Sequence, residues 1–367
     1  MPDLKTDILI IGGGIAGCIA AISLVEFYQV TLIDKLVVSK EKIGESLAPA
    51  ANRILKELDL LDELEREIGS LYKKNMGMQS YWGNSQVHIV DHMRNPDGFV
   101  RSLNRKAFED FLRMSAEKRG VRCIWNAKLQ HSSFESVWKV QINSNEEKSE
   151  PVHILASYVI DASGRQSHFA KSLGVKRHVE DKLMACWISL PNTKENTMST
   201  ISASENGWWY SAIVPNNRRV IAFHTDSDLI DKNRLKTIES FLLLAKENKE
   251  ISDLITVQQD AITFHGTVAA NSTRLEQVAG EQWAAIGDAA LSFDPLSSQG
   301  MFNAMASAMQ LSLLIRQLKF TDKLAKKYAH QTHQIWSRYL EHKQIFYQAE
   351  ARWKSSEFWR RRHHRLT

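Results

Sequence analysis

The amino-acid sequence predicts an α/β fold in which a strand, helix and strand open the chain, a mostly antiparallel β-sheet is inserted further on, and helices close it. Three observations carry that expectation. The apolar run Asp7-Ile8-Leu9-Ile10-Ile11 has strand length and passes at once into Gly12-Gly13-Gly14-Ile15-Ala16-Gly17. Ile19, Ala20, Ile22, Ser23 and Leu24 then supply a helix of small and apolar residues, and Val30-Thr31-Leu32-Ile33 gives a second strand ending at Asp34. Much later, the runs from Trp208 to Val214 and from Val220 to Thr225 suggest strands of an antiparallel sheet.

Bulk properties bound the rest. A chain of 367 residues, 43% of them hydrophobic, can bury a large core. The charged fraction of 24%, with aromatic residues throughout, argues against disorder. No Pro/Gly/Ser-rich linker or fixed-period repeat divides the sequence, so its units are interleaved. A formal charge of +5 without a long basic arm makes nucleic acid an unexpected partner. The cluster Arg360, Arg361, Arg362 and Arg365 with His363 and His364 is expected as a solvated basic terminus, an acidic protein surface or a membrane face being its other uses. Cys18, Cys123 and Cys186 are too widely spaced for a zinc site or a disulfide framework, so no metal is expected. The apolar run from Ile8 to Val25 is interrupted by glycines and preceded by Asp3 and Asp7, which suits neither a signal peptide nor a membrane anchor. A cytoplasmic protein with no membrane partner is expected.

The glycines have separate tasks. Gly12 permits the tight turn, Gly14 lets the backbone approach a pyrophosphate, and Gly17 allows close helix packing. The helix N-terminus favours an anion, and Asp34, about 20 residues on, can accept from a ribose hydroxyl. That fingerprint alone does not separate NAD from FAD. Three later segments do: Asn104-Arg105-Lys106-Ala107-Phe108, opening a helix with Asn104 as its cap; Tyr158-Val159-Ile160-Asp161-Ala162-Ser163-Gly164; and Trp283-Ala284-Ala285-Ile286-Gly287-Asp288-Ala289-Ala290.

In this order, and over nearly the whole chain, these motifs resemble the para-hydroxybenzoate hydroxylase-type flavoproteins. The resemblance implies a Rossmann-like FAD-binding domain with an inserted substrate domain. It places Asp288 on the ribityl chain and pyrophosphate, Arg105 near the phosphates, and Asp161 in a motif that meets both FAD and a nicotinamide donor. Pro295 and Gly300 mark a loop before a long helix through Leu318, whose N-terminus would face the pyrimidine end of the flavin. Cofactor contacts are expected from Gly12, Gly14, Ile15, Ala16, Gly17, Asp34, Lys35, Glu45, Ser46, Leu47, Arg105, Lys128, Asp161, Gly164, Gly287, Asp288, Pro295, Ser298, Gln299, Gly300 and Met301. Convergence on one cofactor assigns residues 1–75, 100–180 and 272–320 to the FAD-binding domain, 76–99 and 181–271 to the substrate domain, and 321–367 to a C-terminal helical region.

Further segments narrow the resemblance. Gly44-Glu45-Ser46-Leu47-Ala48-Pro49, Asp294-Pro295-Leu296-Ser297-Ser298-Gln299-Gly300 and the closing Glu350, Arg352, Trp353, Phe358, Trp359 and Arg362 look like the tryptophan-halogenase-like group. Ser80-Tyr81-Trp82-Gly83, Phe223-His224-Thr225-Asp226 and the short length are most similar to the flavoproteins that mature quinone-cofactor amino-acid oxidases. That likeness implies an FAD-dependent monooxygenase acting on a Trp of an oxidase precursor as cysteine tryptophylquinone forms. O2 and either NAD(P)H or a flavin reductase would be its co-reactants. Substrate contacts are expected from Tyr81, Trp82, Trp208, Trp209 and Tyr210.

Two departures from true halogenases stand out. Their Trp-x-Trp-x-Ile-Pro stretch is broken here and one residue longer, as Trp208-Trp209-Tyr210-Ser211-Ala212-Ile213-Val214-Pro215. Their catalytic lysine has only an approximate counterpart in Lys73 or Lys74, of which Lys74 is the candidate. A halogenase or hydroxylase of a small aromatic substrate is the alternative enzyme, and a flavin-bound maturation chaperone without turnover the non-enzymatic one. His224 and His265 could assist proton transfer, although each, in an alternating run, is expected to be structural.

Overall fold

A computed structural model describes residues 4–92, 95–144, 151–195, 197–229 and 232–363. Asp3, His364 and Arg365 lie outside the described residues. Strand Leu4–Ile11 runs parallel between Val30–Asp34 on one side and Val152–Asp161 on the other. Its Ile8, Leu9 and Ile10 are fully buried, as a parallel strand covered on both faces requires. The order across the sheet is Ala279–Gly280, Trp283–Ala285, Val152–Asp161, Leu4–Ile11, Val30–Asp34 and Arg122–Trp125. The hairpin of Ala127–Phe134 and Trp138–Ser144 joins it through Val152–Asp161.

Register positions the site. Ile11 lies beside Asp161, and Asp161 beside Ala285. Three strands therefore end side by side, and the glycine turns that follow them converge at one edge of the sheet, the end where open α/β sheets bind ligands. Helix Ile15–Leu24 is buried along its whole length, and its Ser23 hydroxyl donates to Ser312 on helix Gly300–Leu318 at 2.6 Å. Helix Arg105–Lys118 starts as expected at Asn104, whose side chain accepts from the Ala107 N–H at 3.1 Å.

A second sheet of seven strands is ordered Thr263–Ala269, Leu183–Pro191, Arg218–Asp226, Gly207–Val214, Ser199–Ser204, Gly77–Tyr81 and His88–Asp91 among the described residues. Every pairing is antiparallel except that of Ser199–Ser204 with Gly77–Tyr81. Its two faces bury different cores, because successive side chains on a strand point opposite ways. Trp209, Phe223 and Ile221 pack with Phe241 and Leu244 of helix Ile238–Lys246, whereas Trp208, Ala185 and Ile201 face Tyr347, Phe358 and Trp359.

The C-terminal region corrects one expectation. After helix Asp322–Gln348 the chain folds back as helix Glu357–His363. Arg360 and Arg361 are exposed as expected, but Arg362 is buried, and Arg361 and Arg362 both meet the buried carboxylate of Asp226. A strand that ends on a buried Asp needs a cation brought to it, and the tail supplies one. Among the described residues no helix is long and apolar enough to cross a membrane.

Candidate cofactor and substrate cavity

A cavity of about 800 Å³ lies between the two sheets. One wall is made by Gly14, Ile15, Ala16, Gly44, Glu45, Ser46, Arg105, Ala162, Gly164, Asp288, Pro295, Ser298, Gly300 and Met301, the other by Ser80, Trp82, Ala185, Trp187, Ile201, Trp208, Tyr210, His224 and His265. Exposed Glu41, His88, Val90, Val268 and Phe346 border it, so it opens to the surface.

The first wall fits a dinucleotide. No side chain caps helix Ile15–Leu24 and no carboxylate sits in its first turn, which leaves its terminal N–H groups for an anion. A Cβ on Gly14 would meet nothing within 4 Å, so open space lies in front of that turn. Gly12 and Gly17 are placed differently. A Cβ on Gly12 would stand 2.3 Å from the Ala162 carbonyl, and one on Gly17 would stand 1.9 Å from the Gly12 carbonyl. These two hold the turn against the chain, and Gly14 leaves the cradle.

Asp34 braces the same turn, accepting from the Gly13 N–H at 2.6 Å and the Leu36 N–H at 2.7 Å. Arg113 completes the brace, since its guanidinium donates to the Gly13 carbonyl at 2.8 Å and lies 3.4 Å from Asp34. The remaining carboxylate lone pairs can take a ribose hydroxyl. Replacing Asp34 with Ala should weaken FAD binding by about 1.5–3 kcal/mol, the worth of a hydrogen bond to a charged group. Titration of the apoprotein with FAD checks this, and an unchanged dissociation constant would remove Asp34 from the site.

Some expected contacts are not brought together. The Asp161 carboxylate is fully buried and accepts from the Ser163 N–H, the Ser163 hydroxyl and the Ala170 N–H at 2.6–3.0 Å. It pins its own turn, and Ala162, Gly164 and Arg165 form the wall instead. Asp288 does reach the cavity, 3.6 Å from Arg165. Gly287 sits behind the wall, where a Cβ would stand 2.9 Å from that of Ala16. Lys35 and Lys128 are exposed and Leu47 is core, none of them on the wall. Gln299 borders a smaller neighbouring cavity of about 320 Å³. Lys74 is also elsewhere, on the outer strand Tyr72–Asn75 with its ammonium 4.5 Å from the Phe99 ring. Strand alternation removes two substrate candidates: Ser80 takes the wall instead of Tyr81, and Trp208 and Tyr210 take it while Trp209 turns into the opposite core.

Both histidines expected to be structural line the cavity. The His224 ring lies flat on Trp208, its cross-strand neighbour, with centroids 3.6 Å apart. His265 lies flat on Trp187 at 3.7 Å and its Nε2 is 2.9 Å from the Ser189 hydroxyl. Burial lowers both, His224 to about 3, so that ring is neutral at physiological pH. Neither this pairing nor Arg113 and Arg165 could be found from spacing, because each depends on strands or turns distant in sequence.

Burial raises two acids of the cavity, Asp294 and Glu45, and it is Glu45 that lands near neutrality. Burial pushes its carboxyl up to about 7 against the pull of its own and the Gly44 N–H and the Arg105 charge. A carboxyl raised by folding stabilises the protein below its ordinary value of 4.5, and that contribution is lost as pH rises through about 7. The apoprotein should therefore lose about 3 kcal/mol across that window, and Glu45→Gln should flatten the dependence. Urea midpoints measured from pH 5 to 8 check it, roughly spanning the transition.

The fold and cavity define a flavoprotein in which a dinucleotide cradle faces an aromatic wall. The family model described as FAD binding domain matches residues 5–342, and the chain belongs to that family. LodB of Marinomonas mediterranea, which carries the name of an FAD-dependent oxidoreductase, is 32% identical over 363 residues, 97% of this chain and 96% of that one. The flavin-dependent halogenase CmlS superposes with a TM-score of 0.85 at 22% identity, covering 99% of this chain and 68% of that one. The peptidyl tryptophan dihydroxylase QhpG, essential for tryptophylquinone cofactor biogenesis, superposes at 0.77 with 17% identity, over 99% of this chain and 81% of that one. At those identities the two structures speak for the fold. The chain is an FAD-dependent oxidoreductase with a halogenase-like fold, and FAD is its cofactor.

Proposed function

We propose that this protein is a monooxygenase that oxidises a Trp side chain in the precursor of a quinone-cofactor amino-acid oxidase, during formation of cysteine tryptophylquinone. The observation that carries this reading is the form of the cavity, an aromatic wall reached from the surface past an exposed rim. A small-molecule enzyme encloses about 70–90% of its ligand, whereas a peptide loop needs an open approach. LodB's likeness along nearly the whole chain and QhpG's fold support the same reading.

Reduced FAD would supply the electrons for oxygen activation. The chain's own residues do the rest. Gly14 and the helix N-terminus would hold the pyrophosphate, with Asp34 for the ribose and Asp288 for the ribityl chain. The N-terminus of helix Gly300–Leu318 has no side-chain cap and borders the cavity, where its positive end would stabilise charge on a bound flavin. The Trp208 and Trp187 stacks form apolar walls for an indole and keep water from it. The FAD-binding unit so defined comprises residues 1–75, 100–180 and 272–320, with the substrate unit at 76–99 and 181–271. Electrons come from NAD(P)H or a separate flavin reductase.

Purified protein, FAD, reductant and precursor, followed by intact-mass analysis, test the proposal. The precursor mass should rise by whole oxygens, and only when FAD can cycle. Maturation with a redox-inactive flavin would replace the enzyme with a chaperone, and halide-dependent modification of free tryptophan or indole would replace it with a small-molecule halogenase.

A further inference from the structure

Of the carboxylates on the cavity wall, Glu45 alone among the described residues keeps a buried oxygen without a partner. Its Oε2 accepts from the Gly44 N–H at 2.6 Å and its carbonyl from the Leu103 N–H at 2.8 Å, which fixes the residue while Oε1 stays free. The Tyr210 hydroxyl, from the opposite wall, is also buried and unpartnered. The two are close enough for the charge of Glu45 to add to the burial that raises the phenol. Buried polar atoms without partners are costly. Here two of them come from opposite sides of one cavity, at the junction of the cofactor and substrate walls, which marks a place that a ligand completes.

We propose that Glu45 is the catalytic base of this cavity, accepting a proton from the aromatic ring being oxidised, with the Tyr210 hydroxyl holding that ring from the facing wall. The assignment rests on the oxygenation reading above. When a ring exchanges a C–H for a C–O bond, one atom of O2 stays on the carbon and the other leaves as water, with reduced FAD as the two-electron donor. The hydrogen leaves the carbon as a proton, which the Glu45 carboxylate takes up and afterwards passes to solvent through the open mouth. A carboxyl raised to about 7 changes charge at the working pH, where a general base is most effective.

Charged groups surround Glu45. Arg105, on the same cavity wall, pulls its carboxyl down and pairs with Glu109, which also binds Lys42. Arg101, on the strand Val100–Leu103 at its back, pairs with Glu65. Across the cavity stand Tyr210 and the two stacked imidazoles, of which His265 faces Glu41 at 3.9 Å.

The test uses FAD-loaded wild type, Glu45→Gln, Glu45→Asp and Tyr210→Phe, with flavin content measured first. Infrared difference spectra should show a protonated-carboxyl band in wild type that disappears between roughly pH 6 and 8. That band should be missing in Glu45→Gln and moved in Tyr210→Phe. Precursor oxidation by Glu45→Gln should fall on the order of 10²–10⁴-fold, the range for a lost general base, with its acid-limb pH dependence abolished and partly restored in Glu45→Asp. A band that survives in Glu45→Gln, or oxidation by that variant at the wild-type rate and pH profile, overturns the assignment. If Glu45→Gln fails to hold FAD, the same spectra and profiles from Glu45→Asp and Tyr210→Phe decide it. Should wild type leave the precursor unoxidised, the oxygenation reading falls, and the infrared titration separately decides whether Glu45 exchanges protons near neutrality.

Discussion

Glycine 14 replaced by valine should give a folded protein that holds no FAD, whereas valine in place of Gly17 should give no folded protein to load. Both positions lie within one turn of the same helix, and simple propensity would rank the substitutions alike. Their surroundings differ. Gly14 has φ −85° and ψ −170°, a conformation that suits a β-branched residue, and a Cβ there would meet nothing within 4 Å. The added methyls would occupy only the space a pyrophosphate needs. At Gly17 the Cβ would stand 1.9 Å from the Gly12 carbonyl and 3.3 Å from the Ala162 side chain, so a fully buried helix must leave its sheet. A cost of at least about 4–5 kcal/mol is a large part of the ~5–15 kcal/mol that holds a domain together. Soluble yield, thermal unfolding and bound-flavin absorbance separate the outcomes. A Gly14→Val protein that retains FAD, or one that fails to fold like Gly17→Val, would contradict these assignments.

The contrast also shows what could be read from sequence. Features that depend on local order were legible: the strand into a glycine turn, Asn104 as a helix cap, and the three strand-end turns that register places side by side. Strand alternation was legible in principle, but its phase was not. Tyr81, Trp82, Trp208, Trp209 and Tyr210 were all expected at the substrate, and only Trp82, Trp208 and Tyr210 face the cavity, because burial under helix Ile238–Lys246 claims Trp209. Polar groups were least legible. Asp161 and Asp34 look alike as strand-end acids, yet the first spends its carboxylate on its own turn, while the second is spent on bracing the glycine turn and Arg113. Which way a carboxylate turns depends on the N–H groups brought near it by folding, and sequence spacing does not carry that information.

The other large effect is expected far from the cofactor, at the ion pair that docks the C-terminal helix. Asp226 ends its strand almost completely buried, and Arg362 grips both its oxygens, at 2.6 and 3.1 Å. The same guanidinium carbon lies 3.7 Å from the Phe358 ring centroid. Replacing Asp226 with Asn leaves Arg362 as a buried cation without a counter-charge, which should cost about 3–5 kcal/mol, whereas exchanging both partners for apolar residues of similar size should cost much less. Arg362→Met should be milder than Asp226→Asn, because Arg361 already reaches Asp226 at 3.2 Å and can neutralise it in part. The helix so docked props the aromatic wall: its Trp359 meets Trp82 edge-on at 5.3 Å and packs on Tyr347 of the preceding helix, whose hydroxyl accepts from Trp208 at 3.1 Å. Weakening the dock should therefore loosen the aromatic wall while the cradle around Gly14 keeps its FAD. Urea unfolding of the two single variants and the Asp226→Leu/Arg362→Met double variant measures the coupling, and flavin content with tryptophan emission reports where the structure has loosened. If Asp226→Asn unfolds within about 1 kcal/mol of wild type, at the level of an exposed pair, the tail is held by its aromatic residues and not by this charge.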